Sequence, residues 1–474
     1  MKQLEKLIDR IISRVNVNLR EHGSFDIGPY VNEIVSINKL NRFYAFYGIT
    51  AHHPLYFHFS HSNLAGSYFL GKCTVDNSVL YKSDIRGDEL KEQGDTFQVQ
   101  GEDITVDHDE KISITDSFLI KTLVHNYSHD PEDLEEFIIK STFAAPYANI
   151  HGAPVEGCFL GPFSTVDLTT LHDCVIGRFA YVQVGEMTHH WVEPGSILIK
   201  RPEAFDFSYR FPENILNRYI TFSPGKGPGG LFMDFVEDRK ADFQRVFDVV
   251  HLKTPVPVPS GASISRYSVF KGKSEVSENV LVAQRAYLEN AVLGRGSNAQ
   301  ENCYIINSRL GGYNVTAHGA KIINAGLEER GFVGFNSFLQ GQEGAKLRVG
   351  KGSIVMPHTI IDLKEPVDIP AEHLVWGYIT SRRDLEHHSI SLERLAGVDG
   401  KVKVGAMHFE GLGSVFVQAF KNRIEHILEA NGAFFDGTRF RGHAQKGQNI
   451  SFNIIQPYPM GPQKGLYPTI DIRA

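Results

Sequence analysis

The sequence predicts an all-β solenoid, a parallel β-helix, and two observations carry that expectation. Apolar residues recur at Val276, Val282, Leu288, Leu293, Ala299, Ile305, Leu310, Thr316 and Ile322, in steps of six, six and five that set Val276, Leu293 and Leu310 17 residues apart. Neither a helix, with a period of about 3.6, nor a strand, with a period of about 2, produces that rhythm. A coil of three short faces with a tight corner about every six residues does. The second observation is what lies between the apolar steps: Gly294, Gly296, Asn298, Asn302, Gly311, Gly312 and Asn314 suit corners that need positive φ.

The elements follow in chain order. Residues 1–66 form an N-terminal helical and mixed region, in which Leu4, Leu7, Ile8, Ile11, Ile12 and Val15 alternate with charge as on an amphipathic helix. His52, His53, His58 and His61 follow at irregular spacing among aromatics and read as packing residues. A first β-helical block is expected over 67–200, interrupted by an acidic insertion at about 90–111 and a second at about 126–140, where Asp130-Pro131 starts a short helix. Within it His172 and His190, 18 residues apart, are expected to stack, and Trp191 to cover the block's open end. Residues 201–255 break the pattern as an inserted loop and helix subdomain, with Pro202, Pro212 and a helical stretch from Leu231 to Val250. Its segment SPGKGPGG lacks the Gly-Lys-Ser/Thr of a phosphate loop, and Pro224 and Pro228 remove N–H donors such a cradle needs, so it reads as a mobile connection. A second block is expected over 256–380. Residues 381–474 hold a C-terminal helix from Ser414 to Asn431, with Ser414 as N-cap and Gly432 at its stop, then a polar tail.

Composition narrows the function classes. A net charge of −7 over 474 residues argues against a dedicated nucleic-acid binder or a polybasic membrane anchor. Four cysteines (Cys73, Cys158, Cys174, Cys303) make neither a disulfide framework nor a paired metal knuckle, and read as buried small residues in a reducing compartment. No run reaches membrane-spanning length, and the N-terminal helix lacks the apolar core and cleavage site of a signal peptide. The expectation is a cytoplasmic protein acting on a small molecule, without nucleic-acid or membrane partners.

Several passages together resemble the left-handed β-helix proteins of the hexapeptide-repeat superfamily, and within it the gamma-class carbonic anhydrases. SVLYKSDIRGDE is similar to that family's Arg-Gly-Asp turn and implies an ion pair of Arg86 and Asp88. ANIHGAPVEGCFLGPF is similar to its Val-His-Gly passage and implies His151 as a metal ligand; LVHNYSHD then implies His125, or His129 if the register slips. SNAQENCYI, with Asn298 and Gln300, and YNVTAHGAKIINA, with His318, are similar to later coils. The chain departs from the family's paired-histidine spacing, with Pro146 five residues before His151, Ile323 five after His318, and Ile306 on the coil before. The resemblance implies a left-handed coil, a homotrimer, and a divalent metal, zinc or iron, that activates water for hydration or hydrolysis. A further ligand would come from His172, His189 or His190, across a subunit boundary.

A second reading rests on the 17-residue step itself. It places Glu301 one coil below His318 on the same face, and a carboxylate holding an imidazole makes an oriented general base. Hexapeptide acyltransferases use that arrangement on a hydroxyl or amine with a coenzyme A ester as donor, although this chain has Gly377-Tyr378-Ile379-Thr380 where many of them end in Gly-Asn-Pro-Ala-Lys. The third reading is a non-catalytic trimeric scaffold subunit that kept the fold and lost the ligands.

Overall fold

Short strands on successive coils stack in parallel and in register, as the spacing requires. The computed structural model describes residues 2–32, 34–40, 45–50, 56–99, 101–128, 130–247, 254–447 and 450–455. They form two compact units, Met1–Gly195 with Glu213–Asp234 and Ile450–Ala474, and Ser196–Pro212 with Phe235–Asn449.

In the second unit the apolar rhythm becomes a literal register. Val276 pairs with Leu293, Leu293 with Leu310 and Leu310 with Leu327 along one sheet. Leu288, Ile305, Ile322, Leu339 and Ile361 follow one another along a second. Both rows point inward and, apart from the half-buried Val276 at the edge, are buried in one core with Val282, Ala299, Val333 and Val355. Each fully buried aliphatic side chain of such a row contributes about 1.5–3 kcal/mol.

The first unit runs on a 16-residue coil instead. Phe143 pairs with Phe159, Phe159 with Val175 and Val175 with Trp191 on one face. The N-terminal helix Lys2–Asn18 lies along this face, its Ile11 and Val15 buried against a cluster that includes Val79, Phe118, Phe143, Phe159 and Val175. Arg10 and Arg14 pin the helix from outside, at 3.3 and 3.5 Å from Asp116. Trp191 is nearly half exposed, with Phe25 and His22 edge-on to its ring.

The corners show how an all-turn surface avoids orphaned backbone groups. In the first unit a side chain at one corner of each coil accepts the N–H of its counterpart on the next. Ser62 Oγ accepts from Ser78, Ser78 from Ser117, Ser117 from Thr142, Thr142 from Cys158, Cys158 Sγ from Cys174 and Cys174 Sγ from His190, at 3.0–3.5 Å. The residue before each of the last six sits at positive φ: Asn77, Asp116, Ser141, Gly157, Asp173 and His189. Cys158 and Cys174 are therefore rungs of this ladder, and all four cysteines are buried thiols.

Several local expectations are corrected. Of the seven residues assigned to positive-φ corners only Gly296 and Asn302 adopt it, with Tyr313 taking the turn between Gly312 and Asn314. Gly294 is required for another reason: a Cβ there would lie 1.5 Å from the Gly311 carbonyl oxygen. Asn298 and Asn314 serve as ladder acceptors, taking the N–H of Thr316 and of Gly331 at 2.8 Å each. No helix begins at Asp130-Pro131; Asp130 Oδ1 takes the Glu132 N–H and stops as a local turn. The stretch from Leu231 is two helices, Leu231–Asp238 and Lys240–Phe247. SPGKGPGG is an antiparallel hairpin, Thr221–Ser223 with Lys226–Gly229, tied by the Gly225 N–H to the Pro29 carbonyl at 2.7 Å. The C-terminal helix is Gly413–Ala430, capped by Leu412, so Ser414 lies inside it; Gly432 at φ 77 does follow its end. His172 pairs with Glu156 and Thr188, because the coil is 16 residues, so His190 falls two positions out of its column. His52 and His53 lie outside the described residues.

Candidate functional site

Two columns of polar side chains interrupt the apolar pattern, one in each unit. In the first unit Arg86, His125, His151 and Asp167 each end a strand of the same sheet. They are register partners on successive coils, Arg86 with His125, His125 with His151 and His151 with Asp167. Period-2 alternation turns all four outward from the core beneath.

Asp167 is fully buried, and its two oxygens are divided between two donors. Oδ1 faces His151 Nδ1 at 2.9 Å, and Oδ2 accepts the Tyr181 hydroxyl. A carboxylate on Nδ1 fixes the ring's tautomer and orientation. The His125 ring stands edge-on to that of His151, centroids 5.3 Å apart, and Tyr127 lies 5.6 and 6.0 Å from the two rings. His125 Nε2 is 3.6 Å from both Asp88 Oδ1 and Glu89 Oε2. Arg86 grips Asp88 through both Nε and Nη2, as the resemblance implied. Burial is the largest single influence and opposes the guanidinium's charge, yet Asp88, Tyr68 and Asp84 together raise the Arg86 pKa. Both insertions are clasped beside this column: Glu110 accepts the N–H of Lys91 at 2.7 Å and of Ser128 at 3.0 Å, while Lys91 Nζ donates to the Ser128 carbonyl. His190 does not join them; it is exposed, with Nδ1 on the Thr188 carbonyl at 2.7 Å. His129 lies outside the described residues.

In the second unit Glu301 and His318 meet as the 17-residue step requires. Nδ1 and Oε2 are 2.9 Å apart, and both side chains are at most 5% exposed. The approach is off the hydrogen-bond line, which makes it a close contact rather than a formed hydrogen bond; such contacts commonly align only with substrate bound. The corner is anchored on both sides, with the Gly319 N–H on the Glu301 carbonyl at 2.9 Å and the Asn336 N–H on the His318 carbonyl at 3.0 Å. Phe335 packs on the imidazole, centroids 5.4 Å apart.

Sequence reasoning missed Asp167, Tyr181, Glu89 and Lys321. Asp167 was within reach, since it lies one 16-residue coil after His151. Lys321, three residues beyond His318, is 2% exposed with Nζ on the Gly319 carbonyl, and burial pulls its pKa down to about 8.

Residues 102–224 match the family profile of hexapeptide repeats including a loop. A solved structure from Desulfovibrio desulfuricans G20, provisionally named an acetyltransferase, is 56% identical, with TM-score 0.89, covering 99% of this chain and 98% of that one. The chain belongs to the hexapeptide-repeat superfamily. Weaker likenesses are WeeI from Acinetobacter baumannii AYE (21% identity, 33% of this chain, 78% of that one, TM-score 0.21) and a provisionally named acetyltransferase from Bacillus cereus (10%, 38% and 97%, TM-score 0.20). No curated protein matches the sequence. Nothing in this set singles out the carbonic anhydrases within the superfamily, whereas the relative that spans nearly the whole chain carries a provisional acetyltransferase name. Among the described residues no helix is long and apolar enough to cross a membrane.

Proposed function

We propose that the chain is an acyltransferase that moves an acyl group from a coenzyme A thioester to a hydroxyl or amine of a small acceptor, with Glu301 and His318 as its proton-transfer pair. The observation that carries this reading is the buried 2.9 Å contact of His318 Nδ1 with Glu301, which supports Nε2 in the base role. The full-length 56% identity to a provisionally named acetyltransferase supports it. As the acceptor's oxygen or nitrogen attacks the thioester carbonyl carbon, its proton passes to His318 Nε2. The new C–O or C–N bond forms, the C–S bond breaks, and the imidazolium returns the proton to the departing thiolate. Glu301 stabilises the imidazolium between those two transfers. The left-handed sense of the coil and assembly as a homotrimer belong to the same proposal, since both come from the superfamily resemblance. The test is thiol release from acetyl-coenzyme A against a panel of hydroxyl and amine acceptors. His318→Ala is expected to lower the rate by about 10²–10⁴-fold; equal rates in the two proteins would sink the reading.

One observation favours a second reading, in the first unit. His151 is held through Nδ1 by a fully buried carboxylate, the support that a metal-ligating imidazole characteristically has. The donors beside it suit a borderline divalent cation such as zinc or iron: nitrogens of His125 and His151, with carboxylates of Asp88 and Glu89 at hand. When bound, such an ion lowers the pKa of a coordinated water and supplies hydroxide at neutral pH. Asp167 and Tyr181 would orient His151, and Arg86 would hold Asp88. Elemental analysis decides it: about one ion per chain, lost in His151→Ala, is expected, and metal-free protein purified without chelator argues against it. Protein that neither binds metal nor releases coenzyme A would be a scaffold subunit.

A further inference from the structure

One outward column of the second unit stands away from the His318 corner. In that coil the corner 317–320 joins the strand Val315–Thr316 to the strand Lys321–Ile323, and Ala325–Leu327 is the third face, opposite the corner. On this face Arg309, Gly326 and Arg348 are register partners on three successive coils. Both arginines are exposed, and so is Lys346, two residues before Arg348. Among the described residues neither guanidinium has a hydrogen-bond or ion-pair partner, although Asp368 is the register neighbour of Arg348 on the next coil. Glu328, two residues beyond Gly326, holds the Lys351 N–H through Oε2 at 2.9 Å. The glycine between the arginines has no structural reason. Gly326 does not adopt positive φ, and a Cβ added to it would meet nothing within 4 Å. Neither backbone conformation nor packing requires it, in a strand that a side chain would strengthen. What it leaves is open space between two exposed cations, and a glycine inside a strand often marks where another group approaches closely.

We propose that Arg309 and Arg348 clamp a phosphate-bearing small ligand over Gly326, at a site separate from the chemistry of the His318 corner. Stacked strands lie about 4.8 Å apart, so the two arginine Cα atoms are roughly 10 Å apart, with the notch of the glycine midway. A guanidinium gives an oxyanion two parallel N–H bonds. Two such forks facing one another take two pairs of oxygens, which a phosphate or a pyrophosphate offers and a single carboxylate does not. Lys346 adds a point charge at the same level as Arg348. A net charge of −7 disfavours a long polyanion, so the ligand is a small one. The site needs neither Glu301 nor His318, and it stands or falls independently of the acyltransferase reading.

The full chain is titrated calorimetrically with inorganic pyrophosphate, as wild type, Arg309→Gln, Arg348→Gln, Gly326→Val and His318→Ala. Saturable binding to wild type and His318→Ala is expected, weaker at high salt and weakened about tenfold or more in each arginine variant. Gly326→Val should lose binding to the same degree, because its side chain fills the notch, while its melting temperature stays close to wild type. Acetate should bind at least about tenfold more weakly than pyrophosphate. Coenzyme A, titrated next, identifies the source of the phosphates. Weakened by the same three variants, it is the carrier; unaffected by them, the site takes free pyrophosphate or a nucleotide such as ADP, and either result supports the site. Absence of saturable pyrophosphate binding in wild type overturns the proposal, as does binding unchanged in Arg309→Gln, Arg348→Gln or Gly326→Val. A melting temperature for ligand-free Gly326→Val well below wild type overturns it too, because the glycine would then serve the fold.

Discussion

Lys321 is buried in an outward column whose members on the neighbouring coils, Tyr287, Tyr304 and Phe338, are aromatic. Its folded pKa of about 8 lies below the ordinary 10.5. Between those values the unfolded chain holds the proton and the folded chain releases it, so stability rises with pH across that window. Below pH 8 the desolvation cost of the charged lysine is present in full. Lys321→Met is therefore expected to raise the melting temperature at pH 7, with the gain shrinking to nothing by about pH 10.5. A loss at pH 7 would mean that the Nζ bond to the Gly319 carbonyl outweighs the cost of burial. At Glu301 the charge itself is the question. Glu301→Gln keeps the shape and is expected to cut kcat by about 10–100-fold, less than loss of the imidazole, with KM little changed.

At the scale of a coil, the corners make the sharper predictions. Gly294→Ala sets a methyl against the Gly311 carbonyl and is expected to cost more than about 3 kcal/mol or abolish soluble expression. Gly326→Ala meets nothing within 4 Å and should be tolerated, its melting temperature close to wild type. Thr142→Val removes a rung, leaves the Cys158 N–H unpaired and should cost about 1–3 kcal/mol in urea unfolding. The same corners show what could be read in advance. The inward rows of the second unit were visible because side-chain volume repeats every 17 residues there, and Glu301 with His318 followed by subtraction. The first unit hid its 16-residue step, because the hairpin Thr96–Val99 with Glu102–Thr105 and the loop after His125 interrupt it just where the column of Arg86, His125 and His151 forms. Asp167 and Tyr181 went unread for that reason. The corner conformations were hidden too, since positive φ falls on Ser141, Phe163, Leu168, Tyr313 and Arg330, residues that give no local signal of it. The register of neighbouring coils imposes the turn, and the residue type follows.

For the whole molecule, two β-helices with unequal coil lengths hold two different acid–imidazole arrangements, His151 before its acid in the chain and His318 after it. The homotrimer proposal predicts a light-scattering mass of about three times 53.0 kDa, independent of concentration over the micromolar range; a monomeric mass would remove it. The rung bonds from Ser62 to His190 carry one more consequence. In most proteins turn amides face water and swap their hydrogen for deuterium early. Here the amides of Ser78, Ser117, Thr142, Cys158 and Cys174 are corner groups held by the coil beneath, and should exchange as slowly as those of the strands. Read by mass spectrometry, the first unit would then show no fast-exchanging turn at this edge, and labelling would enter from the two ends of the solenoid toward its middle.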